Sequence, residues 1–246
     1  MYKNEDAVKL FDQMAAMGDY YSSARPVYVD PQVIVEDICS KIPLKIEDSL
    51  LDVGCGTGVV TLPLSRRCRE IHAVDPGEKV LEKARARCQE ERIRNVTYYQ
   101  AKALSLPFPD VRFDHVLMYA VIHYLENWSQ VERCVTELTR VCRPGGTILI
   151  AEIPDEKAKK DFEARQKTAE EERILDRYNA GRTEYDALFK EHVRVRPAGP
   201  STLALDCDRI VDIARVAGCE GRVCRQDIRL PFSLTRRDVV LVKRMP

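Results

Sequence analysis

The chain lacks net charge: across its 246 residues Lys plus Arg and Asp plus Glu number 39 each. Without a net field it has no bulk attraction for nucleic acid or an anionic membrane, which leaves only local basic patches for that purpose. It also lacks any run of 18 apolar residues, so no membrane insertion is expected. Its start, Met1-Tyr2-Lys3-Asn4-Glu5-Asp6, is polar and acidic, unlike a signal peptide. These absences predict a soluble cytoplasmic protein. There is no C-x-x-C pair, and Cys219 and Cys224 stand five apart with no second pair nearby. The four histidines, His72, His115, His123 and His192, show no ligand spacing, so no metal site is expected. The nine cysteines read as reduced thiols. Cys39, Cys88, Cys134 and Cys142 fall at apolar-periodic positions, where a thiol acts as a small core residue.

What the chain does have is Leu51-Asp52-Val53-Gly54-Cys55-Gly56-Thr57-Gly58. Ser49–Val53 is short and apolar enough for a buried strand, and the residues after Gly58 can start a helix. A glycine turn between a parallel strand and a helix presents bare backbone N–H groups at the sheet's carboxyl edge. The spacing is G-x-G-x-G. A dinucleotide fingerprint needs a glycine where this chain has Val59, which argues against NAD or FAD. A second strand, Ile71–Asp75, ends on a carboxylate about 20 residues beyond the turn, where such folds place an acid on ribose hydroxyls.

Further pieces follow in order: Asp75-Pro76, Leu106-Pro107-Phe108-Pro109-Asp110 with Phe113-Asp114, and Arg143-Pro144-Gly145-Gly146. Together with the glycine turn they resemble the class I S-adenosylmethionine (SAM) dependent methyltransferases, in the small-molecule branch that includes the ubiquinone and menaquinone-type enzymes. The resemblance implies SAM as cofactor, with Gly54, Cys55 and Gly56 along it, Asp75 and Pro76 at its ribose, and the Tyr119 carbonyl at its ammonium group. Relatives carry Gly-Asp-Ala at Ala101-Lys102-Ala103 and hold the adenine amino group with the aspartate. Lysine has no acceptor, so two readings stand. Either adenine rests on backbone groups of Lys102 and Ala103 and on apolar walls, or Lys102 points to solvent. Asp19–Tyr28 is similar to the Y-x-x-x-R-P-x-Y segment that lies across the cofactor mouth in many small-molecule methyltransferases. There Arg25 meets the cofactor's carboxylate through its planar fork, Tyr21 lies near the methyl group and Tyr20 faces the acceptor. The other reading is a polar loop that tucks its rings onto the domain edge.

The rest of the chain alternates strand and helix. Helices are expected over 5–17, 31–42, 58–68, 77–91, 128–142 and 207–217, and strands over 96–101, 113–119, 147–153, 221–228 and 238–244, with 143–146 a turn. That pattern predicts an α/β fold: a doubly wound, mostly parallel, Rossmann-like sheet. The resemblance extends it to seven strands, an antiparallel last strand and a helical insertion. The chain is thus one domain, with helices of residues 1–45 covering the cofactor mouth. Residues 155–200 break the alternation and are densely charged up to Arg173, after which Tyr178, Tyr185, Leu188 and Phe189 return at helical spacing. They read as an acceptor lid or as an exposed helical pair, and on the lid reading Tyr178, Tyr185 and His192 touch the acceptor.

SAM arrives activated, so the protein's main task is to align the acceptor in a dry pocket. If the acceptor is a hydroxyl, a histidine near neutral pH suits its deprotonation. His123, just past the fourth strand, is the candidate, with Tyr124 beside the acceptor; a first-turn histidine bonded to backbone is the alternative. No Asn/Asp-Pro-Pro-Tyr/Phe follows strand four, and no Pro-Cys stands at that edge. With balanced charge, these absences favour a small-molecule acceptor over nucleic acid. A protein or RNA methyltransferase, or a SAM-fold protein without methyl transfer, are the alternatives.

Overall fold

The computed structural model describes residues 4–16, 30–176, 179, 203–230 and 232–245. Strands β1 (Ser49–Val53), β2 (Glu70–Asp75), β3 (Val96–Gln100), β4 (Phe113–Tyr119), β5 (Cys142–Pro154), β6 (Cys219–Arg225) and β7 (Arg236–Lys243) form one sheet of order β3-β2-β1-β4-β5-β7-β6. The pairs from β3 through β5 are parallel, while β7 runs antiparallel to both β5 and β6. Strand order reverses between β1 and β4, and the crevice at such a switch point is where open α/β sheets take ligands.

Burial on both faces explains why β1 and β4 carry apolar residues at adjacent positions, with Ser49, Asp52, Asp114 and His115 as their buried polar members. Successive side chains point to opposite faces, and this alternation sorts the core into two layers. Leu51, Val116, Met118, Ile148 and Ile150 face α5 (Trp128–Val141) and α8 (Cys207–Val216). Leu50, Leu117, Leu149 and Ala151 face α2 (Pro31–Cys39), α3 (Thr61–Ser65) and α4 (Glu78–Glu90). Asp206 caps α8 by accepting from Asp208 N and Arg209 N, and Gly218, at φ +92°, ends it.

Several elements differ from the sequence expectation. The helix after the glycine turn is only Thr61–Ser65, because Gly58 sits at φ +80° and Pro63 removes a helical N–H. Arg143–Gly146 is not a free turn before the strand. Cys142 caps α5 and at once pairs with Phe113, and the next pairing is His115 with Thr147, so 143–146 bulge out opposite Asp114. A Cβ on Gly146 would lie 2.5 Å from the Asp114 carbonyl, and Arg143 pairs with the Asp114 carboxylate. The closing strands each begin two residues earlier than expected.

After β5 come α6 (Glu156–Ala164) and helical residues over 169–176, here α7. Asp155 starts the insertion and receives its return: its carboxylate accepts from Ala158 N at 2.6 Å and from Cys207 N at 3.0 Å. At the other end of the chain, α1 (Asn4–Ala16) lies against α4. Asp12 Oδ1 accepts from Lys79 N at 3.0 Å and Val80 N at 3.3 Å, capping α4 from another helix. Among the described residues no helix is long and apolar enough to cross a membrane.

Candidate active site

The carboxyl ends of β2, β1, β4 and β5 and the start of β7 open into one cavity, roofed in part by Ala7, Val8 and Phe11 of α1. Its centre is the turn after β1. Gly54 N and Cys55 N both donate to Val74 O, at 2.7 and 3.1 Å, tying the turn to β2. Gly54, Gly56 and Gly58 sit at φ +80°, +54° and +80°, a region that side chains with a Cβ avoid. A Cβ on Gly54 would also lie 2.2 Å from Val121, so the close pass of β1 and the β4 turn requires glycine.

Asp75 is fixed by main chain. Gly56 N donates to its Oδ2 at 3.0 Å and Gly77 N to its Oδ1 at 2.9 Å. Burial pushes its carboxyl up to about 6, opposed by these two N–H groups, and the nearby Asp12 charge adds a little. A carboxylate accepts several hydrogen bonds at once, so both oxygens retain capacity for hydroxyl donors. Asp52 below the turn is likewise raised to about 6 by burial, while its hydrogen bond from Thr61 (2.6 Å) pulls the other way. The Cys55 thiol is buried and its pKa stands well above the ordinary range, held there by desolvation, so it is not a thiolate nucleophile.

Beyond β4 the chain turns sharply. Ala120 is at φ +59° and donates to Ala151 O at 3.0 Å, and Ile122–Tyr124 form a single 3-10 turn. His123 is buried there, its ring 4.3 Å from that of Tyr124, and Tyr124 meets Phe11 edge to face at 5.3 Å.

The far end is made by β5 and β7. Their register shifts between Ile150 and Ile153, and inside this bulge Glu152 stands at φ +61°. Bulges re-aim side chains, and this one turns Glu152 into the cavity, where it pairs with Arg236 at 2.8 Å. The Arg236 guanidinium lies 4.1 Å over the Phe232 ring. The strained backbone is held by Asp238, whose Oδ1 accepts from Glu152 N at 2.8 Å and from Gln226 Nε2 at 3.0 Å, while its Oδ2 receives Lys41 at 2.7 Å.

Of the sequence-derived candidates, Gly54, Cys55, Gly56, Asp75, Pro76, Tyr119, His123 and Tyr124 line this one cavity. Lys102 and Ala103 do not. Lys102 is exposed and its carbonyl accepts from Ser105 N at 3.0 Å, and Ala103 packs on the core. Tyr20, Tyr21, Arg25, Tyr178, Tyr185 and His192 lie outside the described residues. His72 and His115 sit elsewhere, bonded to Tyr99 (3.0 Å) and Asp48 (3.1 Å), and burial pushes both rings toward the neutral form. Sequence reasoning missed Phe11, Glu152, Phe232 and Arg236. Glu152 had a signal, an acid closing an apolar strand as Asp75 does; the others had none.

Residues 51–150 match the methyltransferase domain family. The chain is similar to the demethylmenaquinone methyltransferase of Tropheryma whipplei (strain Twist), 32% identical over 115 residues, which are 47% of this chain and 46% of that one. It thus spans about half the length of the curated relatives it matches. Among solved structures it is similar to the cyclase SpnF, with TM-score 0.67, 15% identity and coverage of 100% of this chain and 98% of that one. It is also similar to a SAM-dependent methyltransferase from Aquifex aeolicus, with TM-score 0.57, 18% identity and 98% of each chain covered. At such identities the likeness is one of fold.

Proposed function

We propose that the chain moves the methyl group of SAM to an oxygen or nitrogen of a small-molecule acceptor, a reading supported by the match of residues 51–150 to the methyltransferase domain family. The observation that carries the reading is Asp75: a carboxylate at the sheet's carboxyl edge, fixed by Gly56 N and Gly77 N beside a turn whose three glycines leave the main chain bare. That set suits a ribose on the acid and an amino-acid chain along the turn. It does not suit a dinucleotide, since Val59 stands where a pyrophosphate turn needs glycine.

When bound, SAM supplies a methyl group already activated on a sulfonium. The protein's residues do the rest. Asp75 would hold the ribose hydroxyls, the Gly54–Gly56 backbone would hold the methionine portion, and the Tyr119 carbonyl would hold its ammonium group. The acceptor lies beyond β4, where His123 takes a proton from it and Tyr124 bounds it. Phe11 and its helix close the mouth and exclude water, which strengthens every polar contact inside. The similarity to a demethylmenaquinone methyltransferase supports a small acceptor.

Incubation with methyl-labelled SAM and a cell extract, separated into small-molecule, protein and RNA fractions, tests this. Label is expected in the small-molecule fraction and should be lost in Asp75→Ala. Label confined to protein or RNA would overturn the acceptor class, and absence of transfer with intact SAM binding would overturn the reaction.

A further inference from the structure

The edge of the sheet opposite the cavity gathers a charge that the chain as a whole lacks. Strands β1 to β5 start there, β7 ends there, and β6 starts beside the end of β7. The segments at this edge are 45–48, 66–70, 91–94, 110–112, 143–146, 215–220 and 243–245. They hold eleven Lys or Arg against six Asp or Glu, which makes the edge basic within a chain of zero net charge. Acids here are engaged by the same cations: Glu70 pairs with Arg69 and Arg112 at 3.1 and 3.0 Å, and Glu91 with Arg66 at 2.9 Å. The excess stands on exposed side chains, among them Lys45 before β1, Arg94 before β3 and Arg244 after β7. Seven strands about 4.8 Å apart spread it over about 30 Å.

This edge also exposes aliphatic side chains. Of the six large hydrophobics exposed among the described residues, Ile46, Val111, Val216, Val242 and Met245 lie here, and Ile228 does not. Val111 shows that the exposure is costly. It is β-branched yet sits at φ +59°, a backbone region that such residues avoid. The turn is held there by α5, since Val111 N donates to Arg140 O at 2.9 Å and Arg112 N to Val141 O at 2.8 Å. Asparagine or glycine would suit that backbone better. What valine supplies instead is an apolar group that is 50% exposed.

We propose that this amino edge of the sheet is a docking face for a bilayer that contains anionic lipids. Lipid phosphates meet the cations, while Ile46, Val111 and Met245 enter the boundary between headgroups and acyl chains. Nucleic acid fits less well, because surfaces that hold it interleave cations with aromatic rings for stacking, and the exposed large side chains here are aliphatic. A second copy related by a two-fold axis would set this basic edge against itself. A protein partner would call for apolar groups gathered in one core with a polar rim, rather than set among cations along a line. Docking of this kind is peripheral and needs no membrane-crossing helix. The cavity opens at the other edge of the sheet, so a docked chain holds its mouth toward solvent. The inference does not depend on the proposed function.

The test is cosedimentation of the full chain with vesicles of phosphatidylcholine alone and of phosphatidylcholine with about one third phosphatidylglycerol. Partitioning onto the anionic vesicles should exceed that onto the neutral ones by at least about tenfold and weaken as salt rises. Lys45→Glu combined with Arg94→Glu should lower it by at least about tenfold. Val111→Asn should lower it by about threefold without lowering the thermal midpoint, because asparagine tolerates the left-handed backbone. The circular dichroism spectrum should be unchanged in both variants. Equal partitioning onto the two vesicle types, none onto either, or anionic binding that both variants leave intact would overturn the proposal. Binding of polyuridylate without binding of vesicles would overturn it in favour of nucleic acid. A dimer seen by light scattering, dissolved by the charge reversals and indifferent to vesicles, would overturn it in favour of self-association.

Discussion

Asp75 and Glu152 are both acids at the ends of strands in one sheet, and they are held in opposite ways. Asp75 is fixed by two uncharged N–H groups and, among the described residues, carries no ion pair, and burial raises its carboxyl to about 6. Glu152 is fixed by a guanidinium, and a buried aspartate anchors its main chain. A carboxylate held by neutral donors keeps a strong appetite for further donors, which fits a sugar diol. One held by a cation is compensated in charge and discriminates by shape and hydrogen bonding. The same edge of the sheet thus holds two carboxylates in chemically distinct settings.

The largest break in this comparison should come from the turn. Gly56→Val places a Cβ on a backbone at φ +54° and a side chain where the proposed cofactor's methionine portion would lie. S-adenosylhomocysteine affinity, measured calorimetrically, should fall by more than about a hundredfold, with an unchanged far-ultraviolet circular dichroism spectrum. Normal binding would mean that the turn does not face the ligand. Next in size, Asp75→Ala should weaken S-adenosylhomocysteine by about 1.5–3 kcal/mol, the range for hydrogen bonds to a charged group. A loss of only a few tenths of a kcal/mol would remove Asp75 from the ribose.

Titration sharpens the contrast between the two acids. Because the folded-state pKa of Asp75 is raised to about 6, the acid is largely ionised at pH 7 and largely protonated at pH 5. Hydroxyl donors prefer the ionised form, so affinity for S-adenosylhomocysteine should be flat above pH 7 and fall as pH drops through 6, by at most about tenfold per pH unit. The sign for stability is the reverse. A raised carboxyl stabilises the ligand-free fold below its unfolded value near 4, and that contribution is lost as pH rises through 6. An affinity that rises on acidification would contradict the assignment. The smallest effect belongs to Asp12→Ala. It removes a cap on α4, costing about 1 kcal/mol in urea unfolding. It also removes a charge that raises Asp75, so the midpoint of the pH dependence should move slightly downward.

How much of this was legible beforehand depended on how local the signal was. The five parallel strands and the turn after β1 were readable because each is a short stretch rich in apolar, β-branched or aromatic residues, or a glycine spacing. Asp75 was readable for the same reason, since an acid ends its strand. The short α3 was not, because Gly58 adopts φ +80° where the sequence alone permits a helix. Nor was the bulge at 143–146, which exists only because Cys142 pairs with Phe113 in another strand. The Glu152 grip needs Arg236, Phe232, Asp238 and Lys41, residues up to 111 positions distant, of which Lys41 and Asp238 are 197 apart. No spacing rule joins them; the antiparallel return of β7 does. Lys102 shows the converse, a position with a local motif whose side chain ends in solvent.

The most direct test is the thermal midpoint of the purified chain with S-adenosylhomocysteine and, separately, with NAD. A ligand bound only by the folded state stabilises it by mass action, about 2.7 kcal/mol at a hundredfold excess over Kd. S-adenosylhomocysteine should raise the midpoint by several degrees and NAD should leave it in place, with the S-adenosylhomocysteine shift abolished in Gly56→Val. Equal shifts with the two ligands, or a shift with NAD alone, would contradict the assignment of the Gly54–Gly58 turn and Asp75 to a SAM-type cofactor.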